Sequence, residues 1–182
     1  MYSYTYDEET GGILLNSTPT IFSKEPRPVY APELDLLGFD KYWKYDKQSD
    51  IPYMWAESVQ YWYRGKQVAK LKGGNLYEAP EIIISKDMEG NLVHPEPDGG
   101  ALRPVDIDRM VKKNLDMIDI IENTTIKKIV NVYEKYKNKL DIFHVAFSGG
   151  KDSAVLLDLV KRALPKGSFV VVFGDTGMEF PD

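Results

Sequence analysis

The stretch "HVAFSGGKDSAVLLDLVKRAL", residues 144–164, decides the fold, because within it the hydrophobic period changes from that of a strand to that of a helix. Phe143, Val145 and Phe147, with Ile142 and Ala146, form a β-branched and aromatic run suited to a strand buried on both faces. Gly149 and Gly150 stop it. Beyond Ser153 the apolar residues Val155, Leu156, Leu159, Val160 and Ala163 recur at helical spacing, and Lys161 and Arg162 complement the dipole in the last turn. After a break at Pro165 and Gly167, "SFVVVFGDTG" predicts a second strand. The order strand, glycine turn, helix, strand predicts a right-handed βαβ unit with parallel strands, and hence an α/β class.

A glycine turn feeding a helix N-terminus offers unpaired backbone N–H groups and the positive end of the helix dipole, which together suit an anion such as phosphate. Ser148 and Ser153 add hydroxyls, and Lys151 adds a mobile positive charge. Asp152 would repel a phosphate unless a cation such as magnesium lay between them, so the set points to a metal-nucleotide. The Walker spacing is excluded, since Val145 stands where it needs glycine and Asp152 where it needs a hydroxyl. The dinucleotide fingerprint fails as well, with only Gly149 and Gly150 present. The competing reading is a plain turn in which Asp152 or Ser153 caps the helix.

Ser148, Gly149, Gly150, Lys151, Asp152 and Ser153 resemble the PP-loop of the adenine nucleotide alpha hydrolase superfamily, whose signature S-G-G-x-D-S they match throughout. "VVFGDTGMEFPD", residues 171–182, resembles the second motif of the phosphoadenosine phosphosulfate (PAPS) reductase family, in which an aspartate, a threonine and a glycine end the second strand. The resemblance implies a doubly wound parallel-sheet domain that opens with this βαβ unit, and helices ahead of its first strand. It also implies an adenine nucleotide held by Ser148–Ser153 together with Asp175, Thr176 and Gly177. Lys151 and Asp152 become the catalytic residues, with Asp152 holding magnesium. Two chemistries follow from it. In the ATP pyrophosphatase type the loop grips magnesium-ATP while a substrate oxygen attacks the α-phosphorus; in the reductase type a thiolate attacks the sulfur of PAPS, without metal. Retention of Lys151 and Asp152 favours ATP, whereas the second motif favours the reductases, and sulfur metabolism accommodates both. The alternatives are a non-catalytic module that senses a nucleotide or recruits nucleic acid, and an enzyme of RNA or DNA sulfur modification. A domain of this kind has about five parallel strands. Two are legible here, so a truncated chain is expected, inactive alone and pairing with another copy or with a C-terminal portion that carries the second-substrate site.

The 182 residues are 43% hydrophobic and 28% charged, enough for a sizeable core in one domain or two small ones. The net charge of −5 gives no overall basic field for nucleic acid. With no cysteine, disulfides, thiolate zinc sites and cysteine redox steps are excluded within this chain, and no zinc is expected. The absence of a long apolar run or signal-peptide pattern predicts a cytoplasmic protein with no membrane partner.

Residues 1–100 read as a β-rich module and 101–182 as a helical lead-in plus a partial nucleotide domain, with the boundary in the proline and glycine cluster "HPEPDGGALRP". Hairpins are predicted with turns near Thr10–Gly12, at Arg64–Gly65 and at Glu89–Gly90. Tyr61, Trp62 and Tyr63 beside Arg64, Lys66, Lys70 and Lys72 combine the stacking faces and charge of single-strand recognition, although strand alternation would bury part of that set. His94 is expected at the surface and His144 packed in its strand. The apolar stripe from Met110 to Tyr133 predicts a pair of core-covering helices, with a break around Asn123–Thr125.

Overall fold

Arg64 and Gly65 both take positive φ, 44° and 84°, the left-handed pair that a two-residue hairpin turn of primed type requires. They join strand β5 (Gln60–Tyr63) to β6 (Lys66–Lys72), as the sequence predicts. The structure, a computed structural model, describes residues 2–19, 25–75 and 77–174. The chain divides into two units, Met1–Met117 and Ile118–Asp182.

In the first unit β5 and β6 lie within an antiparallel sheet of sequential order, flanked by β3 (Arg27–Val29) and β4 (Met54–Glu57) on one side and β7 (Glu81–Ile84) on the other. Alternation along β4 and β5 sends Met54, Ala56, Tyr61 and Tyr63 into a core shared with Leu34 of helix α1 (Ala31–Leu36), Phe39 and Trp43. Trp55, Glu57 and Trp62 point to the opposite face, where they meet the hairpin of β1 (Tyr2–Tyr6) and β2 (Ile13–Pro19). Tyr6 stacks on Trp62 with ring centroids 5.3 Å apart and donates its hydroxyl to Glu57 at 2.8 Å, while Trp55 Nε1 donates to Gly11 O at 2.9 Å. The rings of Tyr61 and Tyr63 are therefore core and that of Trp62 lies under Tyr6, so these three do not form an open stacking platform.

The third hairpin closes beyond β7 at the bridge Lys86 to Leu92, with backbone bonds from Val93 N to Ser85 O at 2.8 Å and from Asp87 N to Asn91 O at 2.9 Å on either side of it. In its turn Asp87 Oδ1 accepts the amides of Glu89 and Asn91 at 2.9 and 2.8 Å.

Helix α2 runs from Ile107 to Tyr136 without the expected break, so one helix stands where a pair was predicted. Asn123 Nδ2 donates to Asp119 O and Thr125 Oγ1 to Ile121 O, each at 2.8 Å, so these polar side chains bond back onto their own helix and do not interrupt it. The first turns of α2 dock on the β1–β2 hairpin through buried Asn114. Its Oδ1 accepts the Leu15 amide at 2.7 Å and its Nδ2 donates to Ile13 O at 2.8 Å. Lys113 Nζ reaches Asp7 and Glu9 at 2.7 and 2.6 Å. The approach is close enough that a Cβ on Gly12 would lie 2.5 Å from Met110 Sδ.

The second unit holds the βαβ element: β8 (His144–Phe147), α3 (Lys151–Ala163) and β9 (Val170–Phe173), with the strands parallel and Val145 opposite Val171. The α/β class is as predicted. Burial of both faces of β8 is not: Val145 alone of that strand is buried, and His144, expected to pack within it, is exposed; β9 is exposed throughout. Among the described residues this sheet has two strands, so each has an open edge and the faces have few neighbours to cover them. Among the described residues no helix is long and apolar enough to cross a membrane.

Candidate nucleotide site

The loop leaves the carboxyl end of β8, the edge at which open α/β sheets take their ligands. Gly149 has φ +77°, and a Cβ built there meets nothing within 4 Å, so the backbone conformation, not lack of space, calls for glycine. Gly150 returns to extended backbone (φ −75°, ψ 162°) and is the N-cap of α3, with no side chain capping it. Asp152 and Ser153 lie inside the first helical turn, so neither is the N-cap of the competing plain-turn reading. Ala154 N donates to Gly150 O at 3.1 Å and opens the intrahelical ladder. The amides before it belong to the orphan set at a helix start, where the dipole is positive.

Three side chains shape the mouth of the turn. Ser153 Oγ lies 2.8 Å from Gly150 O, 3.2 Å from Ser148 Oγ and 3.3 Å from Ser148 N. Lys151 and Asp152 stand at the rim, paired with each other and almost fully open to solvent. The structure thus brings Ser148, Gly149, Gly150, Lys151, Asp152 and Ser153 together in one turn. Asp175, Thr176 and Gly177 lie outside the described residues; β9 ends at Phe173, which is in register with Phe147, the last residue of β8. Among the described residues no group of three or more histidine and carboxylate side chains could hold a metal. Asp152 is a single carboxylate, open to solvent at the mouth of the turn. The bridging position of Ser153 was not read from the sequence; a hydroxyl three residues after a helix-capping glycine is the signal that carries it.

A strand, a left-handed glycine and a helix start in this order make a βαβ unit whose loop presents orphan amides at the carboxyl edge of the sheet. Residues 142–182 match the family model of the phosphoadenosine phosphosulfate reductase domain. The chain is 49% identical over 75 residues to the uncharacterized protein MJ0066 of Methanocaldococcus jannaschii, an alignment covering 41% of this chain and 15% of that protein. It is 38% identical over 81 residues to the uncharacterized protein MJ0973 of the same organism, covering 44% of this chain and 19% of that one. The aligned part is thus under a fifth of either relative's length. No solved structure matches the chain.

Proposed function

We propose that Ser148–Ser153 grip the phosphates of an adenine nucleotide, with Asp175, Thr176 and Gly177 completing the site, in an enzyme of sulfur metabolism that adenylates its substrate. The observation that carries this reading is the open pair Lys151 and Asp152 at the start of α3. A bare phosphate or sulfate would be served by the amides and Lys151 alone, and Asp152 would oppose it. Asp152 would hold magnesium bound with ATP, and the metal would supply neutralisation of the phosphate charge. Lys151 then holds the negative charge that grows on the departing pyrophosphate as a substrate oxygen attacks the α-phosphorus. The amides of the first turn orient the chain of phosphates in line with that attack.

A second reading, binding of PAPS for reduction, is favoured by the family matched at residues 142–182. It needs a thiolate from outside this chain, which has no cysteine. Titrating the protein with magnesium-ATP and, separately, with PAPS separates the two. Shifts of the Gly149–Ser153 amide resonances by magnesium-ATP are expected. Binding of PAPS alone would give the reductase reading, and nucleotide bound with these amides unmoved would remove the site from the loop.

A further inference from the structure

Ser153 Oγ carries one proton and has three neighbours within bonding distance: Gly150 O at 2.8 Å, Ser148 Oγ at 3.2 Å and Ser148 N at 3.3 Å. A carbonyl only accepts, so the Ser153 proton goes to Gly150. The Ser148 amide and the Ser148 hydroxyl must then both donate to Ser153 Oγ. Every bond in the set has a fixed direction.

Gly150 O already accepts the Ala154 amide at 3.1 Å, so Ser153 occupies its second lone pair. That holds the carbonyl inward along the helix. Because the peptide is planar and trans, the Lys151 N–H on the other side of the same unit is turned outward, toward the loop mouth. At the other end of the turn the Ser148 amide is held by the same oxygen. Gly149, between them, has no side chain to restrain it and takes φ +77°. Among the described residues the one further side-chain bond in this turn is that of Lys151 to Asp152.

We propose that Ser153 is a positioning residue of the loop: its hydroxyl staples Ser148 to Gly150 across the glycine pair, aims the Lys151 amide at the anion, and does not itself touch the anion. Ser153 contributes to the ligand only through its backbone N–H. Ser148, by contrast, is the serine whose hydroxyl can turn to a ligand, giving up its bond to Ser153 while the amide bond to Ser153 persists. The role toward an anion rests on the nucleotide reading above; the stapling itself does not.

The test compares the parent protein with Ser153→Ala and Ser153→Thr, first without any ligand. Exchange of the Ser148 amide should be slow in the parent and in Ser153→Thr, and about tenfold faster in Ser153→Ala for loss of one hydrogen bond. The amides of Leu159 and Val160, in the middle of α3, should exchange alike in all three and report that the helix is intact. Pyrophosphate and magnesium-ATP are then titrated into each. Binding weakened about tenfold in Ser153→Ala and restored in Ser153→Thr supports the staple. Equal Ser148 exchange in all three proteins overturns it. Weaker binding in Ser153→Ala with Ser148 exchange unchanged also overturns it, because the hydroxyl would then be a direct ligand. If the parent binds neither probe while Ser148 exchange still depends on Ser153, the nucleotide reading falls and the staple stands.

Discussion

Lys151 Nζ lies 3.2 Å from Asp152 Oδ1, and 88% and 92% of the two side chains are open to solvent. Water screens so exposed a pair, which therefore adds little to folding and leaves both charges free to engage a ligand. Lys151→Ala should leave the melting temperature within about 2 °C of the parent. It should weaken magnesium-ATP about tenfold to a hundredfold, the loss of one charge-assisted contact. Asp152→Asn should weaken ATP only in the presence of magnesium. Calorimetric titration with and without the metal measures both, and an equal loss in its absence would give Asp152 a different role.

Asn114 supports the first unit in a way that is local to its hairpin. It is buried, and its amide group makes bonds to Leu15 N, Ile13 O and Met110 O. Asn114→Leu removes them and leaves the Leu15 amide and the Ile13 carbonyl without their partner. The expected loss is about 1–3 kcal/mol for such unsatisfied groups, read as a lower urea midpoint. An unchanged midpoint would mean that water takes over the backbone groups at no cost.

The two residues differ in how readily a sequence discloses them. The Ser148–Ser153 loop was legible because its elements are contiguous: a β-branched run, two glycines and a change of period within one short stretch. The Arg64–Gly65 turn was legible for the same reason, since a primed turn is a property of two adjacent residues. Asn114 was not, because its partners Ile13 and Leu15 lie about a hundred residues earlier and a lone asparagine beside an apolar stripe reads as solvated. The continuity of α2 was hidden likewise: Asn123 and Thr125 weaken helix propensity on average, and only their bonds to Asp119 and Ile121 remove that conflict. Burial of β8 was misjudged because an apolar run states what a strand can bury, not how many neighbours it has.

Glu96 gives the first unit a pH dependence of definite sign. Burial by itself would raise its carboxyl pKa, but the Tyr63 hydroxyl, the Arg103 guanidinium at 2.9 Å and the charge of Arg64 outweigh burial and hold it below the usual 4.5. A carboxyl depressed in the folded state contributes stability that is complete above its unfolded value and is lost as pH falls toward the folded one. The urea midpoint should therefore hold steady from pH 7 to about pH 5 and fall below pH 4.5. Glu96→Gln should begin lower at pH 7 and decline less steeply on acidification. Parallel curves for the two proteins would show that other carboxylates carry the transition.

Strand β9 is the place where association of this chain should begin. Val170, Val171, Val172 and Phe173 are 42–51% exposed, and among the described residues β9 is paired on one edge only, by β8. An unpaired edge offers its free N–H and C=O groups to another strand, and the apolar side chains on it add a hydrophobic gain when a partner covers them. No charged residue or proline interrupts Val170–Phe173 to discourage such pairing. Light scattering of the 182-residue chain should show an apparent mass that rises with concentration. Val172→Lys places a charge in the middle of the strand, which penalises burial of that face against a second molecule, and should suppress the rise. The Ser148–Ser153 loop, held by bonds that do not involve β9, should retain its amide exchange pattern in that variant. A parent that stays monomeric at every concentration would refute association through β9, and association undiminished by Val172→Lys would move it to another surface.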